Sequence, residues 1–519
     1  MSSRRREGGS GGERTQRSLG SVNLLPLQRV GASLEQRGLS RIGLAAAALA
    51  ILVLISRLPF HSRMLWAWDS VLYARALENG FHVDFALSGQ RPHPPGYILY
   101  VATAALAKGG LADSNSALFI VSAAGAALAA VGVFLLARRF ASGPCAFAAA
   151  CAFAASPLVW LYSEVAYPYT VLACASVFLA TAFWSARTAG APGAIFASAL
   201  FGVASGFRQD LLLLLTPLWI WAVWPQRVAV RAVAGVALCG GVLVWLAPTI
   251  ALSDGLEEYA RALLQQADSI RVLYSSAENG YPALLTNLGT TTYAIAWGLA
   301  LATVPLVLAA ALWLRPRRRI SRRAVFLTLW GAPGLLFYVA VHIGEWGYVL
   351  SIIPEAFVLV AIALDALRLH ARPRLAHAVG WVVVVAAGAL FLLGPGPFSA
   401  QAIAAHDDAF AARVRFVREN YSPRSTGVLA REDYLLVRHY LAEYRVMFHD
   451  PDPYARASRH MRTREITAFV VFTSGLSAGS DVEVRYVACA RGVNLAYVRI
   501  PAGAVLVFNG ERFGVRSPE

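Results

Sequence analysis

Apolar runs separated by short polar turns dominate the chain from Leu44 to Leu393. Many approach the ~20 residues a helix needs to cross a bilayer. Spanning helices are expected at about 42–59, 115–137, 143–158, 167–186, 193–207, 211–224, 229–252, 286–314, 324–342, 348–367 and 377–394. The alternating pattern of a membrane barrel is absent. After about residue 397 the pattern changes. "DDAFAARVRFVRENY" places Phe410, Val414 and Val417 at helical spacing. "TGVLA", "YRVMF", "EITAFVVFTSG", "DVEVRYVACA", "NLAYVRIP" and "AVLVFNGERFGV" read as strands, with a helix near Asp433–Leu441.

One apolar run is ambiguous. "GYILYVATAALAKGGLADSN", starting at Gly96, has only about fifteen apolar residues, short for a span. Loop charge decides its place. If it does not cross, the turns "ARRF", "SARTAG", "PQRVAVR", "RPRRRISRR" and "RLHARPR" fall on the side of the Arg-rich N-terminus. If it crosses, every one of them moves to the opposite side, against the positive-inside rule. The reading is a polytopic α-helical membrane protein with about 11 transmembrane helices. An interfacial or re-entrant helix is expected at about 96–110, and a C-terminal soluble α/β domain follows the last span. Three divisions follow: a disordered Gly/Ser/Arg-rich cytoplasmic tail at 1–41, a transmembrane domain at 42–396 with its first outer loop at 60–113, and an extracytoplasmic α/β domain at 397–519. The expected location is the inner (plasma) membrane.

Composition sharpens this picture. The chain of 519 residues is 57% hydrophobic and 15% charged. Its net charge of +16 would suit a nucleic-acid partner, but the arginines cluster in the turns between apolar runs, so no nucleic-acid partner is expected. The five cysteines show no CxxC pattern, which argues against a disulfide framework or a cysteine metal site. There is no P-loop, GxSxG elbow or dinucleotide fingerprint. No cofactor and no metal are expected.

Polar chemistry therefore has to assemble on the outer face. Asp69, in "WAWDSVLYARALENG", caps or begins a short surface helix; it is either an N-cap or a carboxylate that takes a proton from a substrate. "RPHPPGYILY" puts Arg91 and His93 at the membrane surface, as phosphate ligands or as interfacial charges in a proline-rich turn. In "SPLVWLYSEVAYPY", Glu164 is the only charge, and Tyr162, Tyr167 and Tyr169 read as an aromatic belt. "GFRQD" places Arg208 and Asp210 between two apolar runs, where a local ion pair is the simpler reading. "HIGEWGYVLSIIPEAF" gathers His342, Glu345, Tyr348 and Glu355 around a turn.

The order of these elements is more specific than any one of them. D-S-x-x-Y from Asp69 precedes H-P-P-G-Y from His93; S-P-x-x-x-x-Y-S-E from Ser156 and G-Y-V-L-x-x-x-P from Gly347 follow. Over about residues 42–395 this resembles the GT-C superfamily of membrane glycosyltransferases, which includes protein O-mannosyltransferases and aminoarabinose transferases of lipid A. Many of the mannosyltransferases carry Asp-Glu where this chain has Asp69-Ser70. The resemblance implies transfer of a sugar from a polyprenyl-phosphate donor to a glycan, lipid or protein acceptor on the extracytoplasmic face, with inversion. Asp69 would be the general base. Arg91, His93 and Arg208 would stabilise the leaving phosphate, and Tyr97, Glu164, Glu345 and Tyr348 would complete the substrate site among membrane lipids. A lipid or sugar transporter and a non-catalytic envelope-assembly protein are the competing readings; no repeated half of the kind found in transporters is visible.

Overall fold

The computed structural model describes residues 25–85, 92–111, 113–313, 321–370, 373–430, 433–448, 468–472, 484–490, 493–499, 505–508 and 511–514. The chain divides into two compact units, 1–48 and 49–519. Everything that follows concerns the second, apart from the start of the first helix.

The helices run α1 (Leu25–Arg57), α2 (Trp68–Asn79), α3 (Ile98–Lys108), α4 (Ser114–Ala137), α5 (Gly143–Ala155), α6 (Pro157–Glu164), α7 (Tyr169–Ala186), α8 (Gly190–Ala204), α9 (Asp210–Val223), α10 (Val228–Ala251), α11 (Leu256–Tyr274), α12 (Ser276–Leu299), α13 (Thr303–Trp313), α14 (Arg322–Ala340), α15 (Ile353–His370), α16 (Pro373–Leu393), α17 (Ala400–Asn420) and α18 (Tyr434–Tyr440). All eleven apolar runs are helical. Seven helices among the described residues are long and apolar enough to cross a membrane, or eight if α5 and α6, bent by 55°, form one broken span. Helices α8 and α9, at 15 and 14 residues, are shorter. Helix α15 carries Glu355, Asp365 and Arg368 within 18 residues.

Several elements differ from the sequence expectations. Helix α1 starts at Leu25, inside the stretch read as a tail. The stretch 253–285, between two of the expected spans, holds α11 and the first turns of α12. Leu256, Tyr259, Leu263, Ala267, Ile270 and Tyr274 recur there at three- and four-residue intervals, the spacing of one helix face. The expected helix at 348–367 is split: Trp346–Ser351 form a 3-10 turn and α15 begins only at Ile353, with Pro354 in its first turn, where a missing N–H costs nothing. Helix α3 has 11 residues, about half of what a span needs.

The C-terminal segment is α/β, as its pattern predicts. Strands β1 (Thr426–Ala430), β2 (Arg445–Phe448), β3 (Ala468–Val471), β4 (Val484–Ala490) and β5 (Val493–Arg499) form a sheet ordered β2-β1-β3-β5-β4. Strand β1 is parallel to β2 and β3, with Val428 between Val446 and Val470. Strands β6 (Val505–Phe508) and β7 (Glu511–Gly514) make a separate hairpin. Phe410, Val414 and Val417 of α17 are buried, which follows from their spacing.

Helix α2 joins the helical and α/β parts. It is not a surface helix: Ser70 to Ala74 and Ala76 are buried. Val71 and Tyr73 belong to one apolar core with Tyr100 of α3, Leu118 of α4, and Phe410, Val428 and Leu435 of the C-terminal segment. Burying such side chains yields roughly 1.5–3 kcal/mol each. The helix that carries Asp69 is thus fixed from both sides.

Candidate functional site

Asp69 is the second residue of α2, whose N-cap is Ala67. The cap reading of Asp69 is therefore set aside: Ser70 Oγ, not Asp69, accepts the Ala67 N–H, at 3.4 Å. Asp69 Oδ1 instead stands 3.3 Å from His93 Nε2, and about a quarter of each side chain is exposed, so a substrate can reach the pair.

The H-P-P-G-Y loop brings His93 there. His93 Nδ1 is 2.7 Å from the Pro94 carbonyl, which can only accept, and the Gly96 N–H donates to the His93 carbonyl at 3.0 Å. Both ring nitrogens thus face acceptors, an arrangement that favours the imidazolium. Burial pulls the His93 pKa down. The Asp69 charge and hydrogen bond and the Pro94 carbonyl outweigh burial and the nearby Arg208, so the group is held above its ordinary value. Gly96 has φ +102°, and a Cβ there would lie 2.5 Å from Val83 Cγ2; both the turn and the close approach require glycine. Tyr259 of α11 reaches over this loop to the Pro95 carbonyl at 3.4 Å. Arg91 lies outside the described residues.

Arg208 occupies the turn between α8 and α9. Its Nε donates to Asp210 Oδ2 at 2.8 Å, the local pair expected from the sequence. Its guanidinium lies 3.9 Å from the ring centre of Tyr348, 5.0 Å from Tyr169 and 5.9 Å from Tyr97. Three aromatic faces and one carboxylate together offset the cost of burying the charge. Tyr97 also meets His93 edge to face at 5.6 Å, which links His93 and Arg208 through one ring.

The tyrosines read as a belt are not at a surface. Tyr162, Tyr167 and Tyr169 are each 2% exposed. Tyr167 and Tyr169 stack at 5.1 Å, and Tyr162 meets Tyr169 edge to face at 4.9 Å. The Tyr162 hydroxyl donates to Glu345 Oε2 at 3.4 Å. Burial raises Glu345 first and the Asp69 charge second. Tyr162, the Trp346 N–H and Arg208 oppose them, and the carboxyl settles at about 7. His342, 7% exposed, packs against Tyr348 at 5.7 Å and Tyr274 at 5.0 Å.

Asp69, His93, Tyr97, Arg208, Glu345 and Tyr348 are thus brought into one connected cluster. Glu164 is placed apart from these side chains. It is fully buried with Arg57 at the end of α1, Nε to Oε1 3.9 Å, and accepts from the Trp160 indole at 2.9 Å. Arg57 also lies over the Trp160 ring at 4.3 Å and donates to the Ala154 carbonyl at 2.6 Å. These contacts describe a structural pair. The sequence singled out neither Arg57 nor the inward-facing role of Tyr169; an arginine closing an apolar run is the one signal that pointed to the former. Among the described residues, no group of three or more His, Cys, Asp or Glu side chains gathers to hold a metal.

The fold is shared with solved structures of another membrane protein. The chain is similar to ArnT from Cupriavidus metallidurans in the apo state, at 13% identity and a TM-score of 0.55, over 89% of this chain and 98% of that one. The same protein bound to undecaprenyl phosphate matches at 13% identity and a TM-score of 0.54, over 88% and 97%. The archaeal oligosaccharyltransferase AglB from Archaeoglobus fulgidus, in complex with an inhibitory peptide and a dolichol-phosphate, is more distant: 14% identity, a TM-score of 0.45, and 83% and 69% coverage. No protein-family model matches the chain, and no curated protein matches it in sequence. At such identities the likeness to ArnT speaks for the fold.

Proposed function

We propose that the protein is a membrane glycosyltransferase that moves a sugar from a polyprenyl-phosphate donor to an acceptor on the extracytoplasmic face. The observation that carries this reading is the Asp69–His93 pair beside the tyrosine-caged Arg208: a reachable carboxylate next to two cationic side chains, at the end of an apolar bundle. The ArnT structure of the same fold was determined with undecaprenyl phosphate, which supports a lipid-phosphate donor.

In this reading Asp69 takes the proton from an acceptor hydroxyl or amine. The freed electron pair attacks the anomeric carbon from the face opposite the phosphate. The new bond to the acceptor forms as the bond to phosphate oxygen breaks, and the configuration inverts. The electron pair of the broken bond stays on the phosphate. His93 and Arg208 face that charge; preorganised cations in a site that excludes water stabilise developing negative charge most effectively. Arg91 joins them by its place in the sequence. Tyr97 and Tyr348 hold the Arg208 guanidinium in plane, and Glu345 lines the sugar side. Glu164 has no part in the transfer.

The same reading places α3 at the outer interface, the N-terminus in the cytoplasm and the C-terminal segment outside, in the inner membrane. The test is purified protein in lipid nanodiscs, offered a set of radiolabelled polyprenyl-phosphate sugars with membrane extract as acceptor. Labelled product sensitive to removal of the donor phosphate supports the reading. Movement of intact donor across a sealed bilayer, with no transfer, would favour a transporter.

A further inference from the structure

Asp69 lies in the first turn of α2, so its position is inherited from the segment that leads into that helix. The amides there have definite acceptors. Ser62 N–H donates to the Glu164 carbonyl at 2.9 Å. Arg63 N–H donates to Asp407 Oδ2 at 2.6 Å, and Leu65 N–H donates to the Tyr440 hydroxyl at 2.8 Å. The Ser62 hydroxyl is 2.7 Å from Asp407 Oδ1, while the Asn115 amide holds the Ser62 carbonyl at 2.7 Å. Trp66 lies on His406 with ring centres 4.4 Å apart. Asp407, His406 and Tyr440 all belong to the C-terminal segment, beyond the last apolar helix.

Asp407 is 2% exposed, and both of its oxygens are engaged with consecutive residues of the lead-in. It cannot meet a substrate. Two bonds from one carboxylate fix direction as well as distance, so the peptide cannot swing without losing both. Burial would raise the Asp407 carboxyl. The bonds from His406, Ser62 and the Arg63 N–H outweigh it and hold the group below its usual range, as an anion. The neighbouring Asp408 pairs with Arg63 at 2.6 Å, but both side chains are well exposed, so that bridge adds little.

We propose that Asp407 is a positioning residue for Asp69: through Ser62 and Arg63, the C-terminal segment sets where the base of the transfer reaction stands. The proposal rests on the reading of Asp69 as that base. It gives the C-terminal segment a part in the chemistry besides any part in choosing the acceptor. Misplacing a reacting group by ~1 Å costs about 100-fold in rate, while donor binding, which lies with Arg208 and its tyrosines, stays intact.

The test compares Asp407→Asn, Asp407→Glu, Ser62→Ala and Asp408→Asn with wild type, as full-length protein in nanodiscs. Two readouts are taken: donor KM against kcat, and the titration of His93 by histidine NMR. An asparagine presents an NH2 to one of two donors, so Asp407→Asn is expected to lower kcat by about 100-fold with donor KM nearly unchanged. It is also expected to lower the His93 pKa as Asp69 draws away. Asp407→Glu restores part of both effects, and Asp408→Asn changes neither. If Asp407→Asn fails to fold, Ser62→Ala carries the test, with smaller changes in the same directions. A wild-type kcat and His93 titration in Asp407→Asn, with only a lower unfolding temperature, would overturn the proposal. If wild type transfers no sugar from any donor, the base reading falls, and the His93 titration alone decides whether Asp407 positions Asp69.

Discussion

The Asp69 carboxylate of α2 faces the His93 imidazole of the H-P-P-G-Y loop across 3.3 Å, and neither residue's own helix or turn would hold it there alone. Helix α2 is pinned by a core shared with α3, α4 and the C-terminal segment. The loop is pinned by Gly96 and by the bond from Tyr259. The pair is therefore a product of the tertiary fold, and it can be taken apart residue by residue.

The first consequence concerns His93. Its pKa is raised because Asp69 and the Pro94 carbonyl overcome burial. The stabilisation from this pair is present below the ordinary histidine range and is lost as pH rises through the raised folded-state value. Asp69→Asn is expected to bring the His93 titration down, measured by NMR. An unchanged titration would show that the contact carries no charge coupling.

Arg208 is the second. A lysine keeps the charge but offers no planar group to stack among Tyr348, Tyr169 and Tyr97, and no fork for Asp210 or a phosphate. Arg208→Lys is expected to raise the donor KM by at least about tenfold. Arg208→Ala leaves Asp210 without its partner and is expected to cost about 3–5 kcal/mol as well. Donor kinetics and thermal unfolding, run on both variants, separate the two effects.

Glu345 gives a stability prediction with a definite sign. Its carboxyl is raised from 4.5 to about 7, chiefly by burial. The folded state then prefers the protonated form, and that preference is lost as pH rises through about 7. Glu345→Gln, which stays neutral, is expected to unfold at a higher temperature than wild type at about pH 8, with the gap closing below about pH 5. A gap that widens toward acid would contradict the assigned cause.

Glu164 and Arg57 test the separation of structure from chemistry. Both are buried, so removing one partner strands the other; Arg57→Met or Glu164→Leu is expected to cost about 3–5 kcal/mol. The double variant is expected to recover most of that loss. The kcat of the folded fraction is expected to stay within about twofold of wild type in all three, because none touches Asp69 or Arg208.

These contrasts show what the sequence could and could not disclose. Long apolar runs and positional motifs are local properties, so the helices, the α/β character of the C-terminal segment and the order of Asp69, His93 and Arg208 were legible. Burial and pairing are not local. Glu164 looked like an isolated outer-face charge because its partner, Arg57, ends a helix a hundred residues earlier. Tyr169 looked interfacial because amphipathic rings suit that depth, yet it packs against Arg208. Helix α11 is absent from the pattern of spans because its apolar face alternates with five charged residues, too polar overall to cross a membrane. Asp407 carries no motif at all; only the folded chain shows it bonded to Ser62 and Arg63.

The central claim is that Asp69 is the base of a lipid-phosphate-dependent glycosyl transfer. The most direct measurement is transfer of label from a polyprenyl-phosphate sugar by wild type and by Asp69→Asn, with thermal unfolding recorded on both. The substitution keeps the shape of the side chain and removes its basicity. Product is expected with wild type alone, with similar unfolding temperatures for the two proteins at a pH above the His93 titration. Equal product from both would contradict the claim and move the search for the base to Glu345.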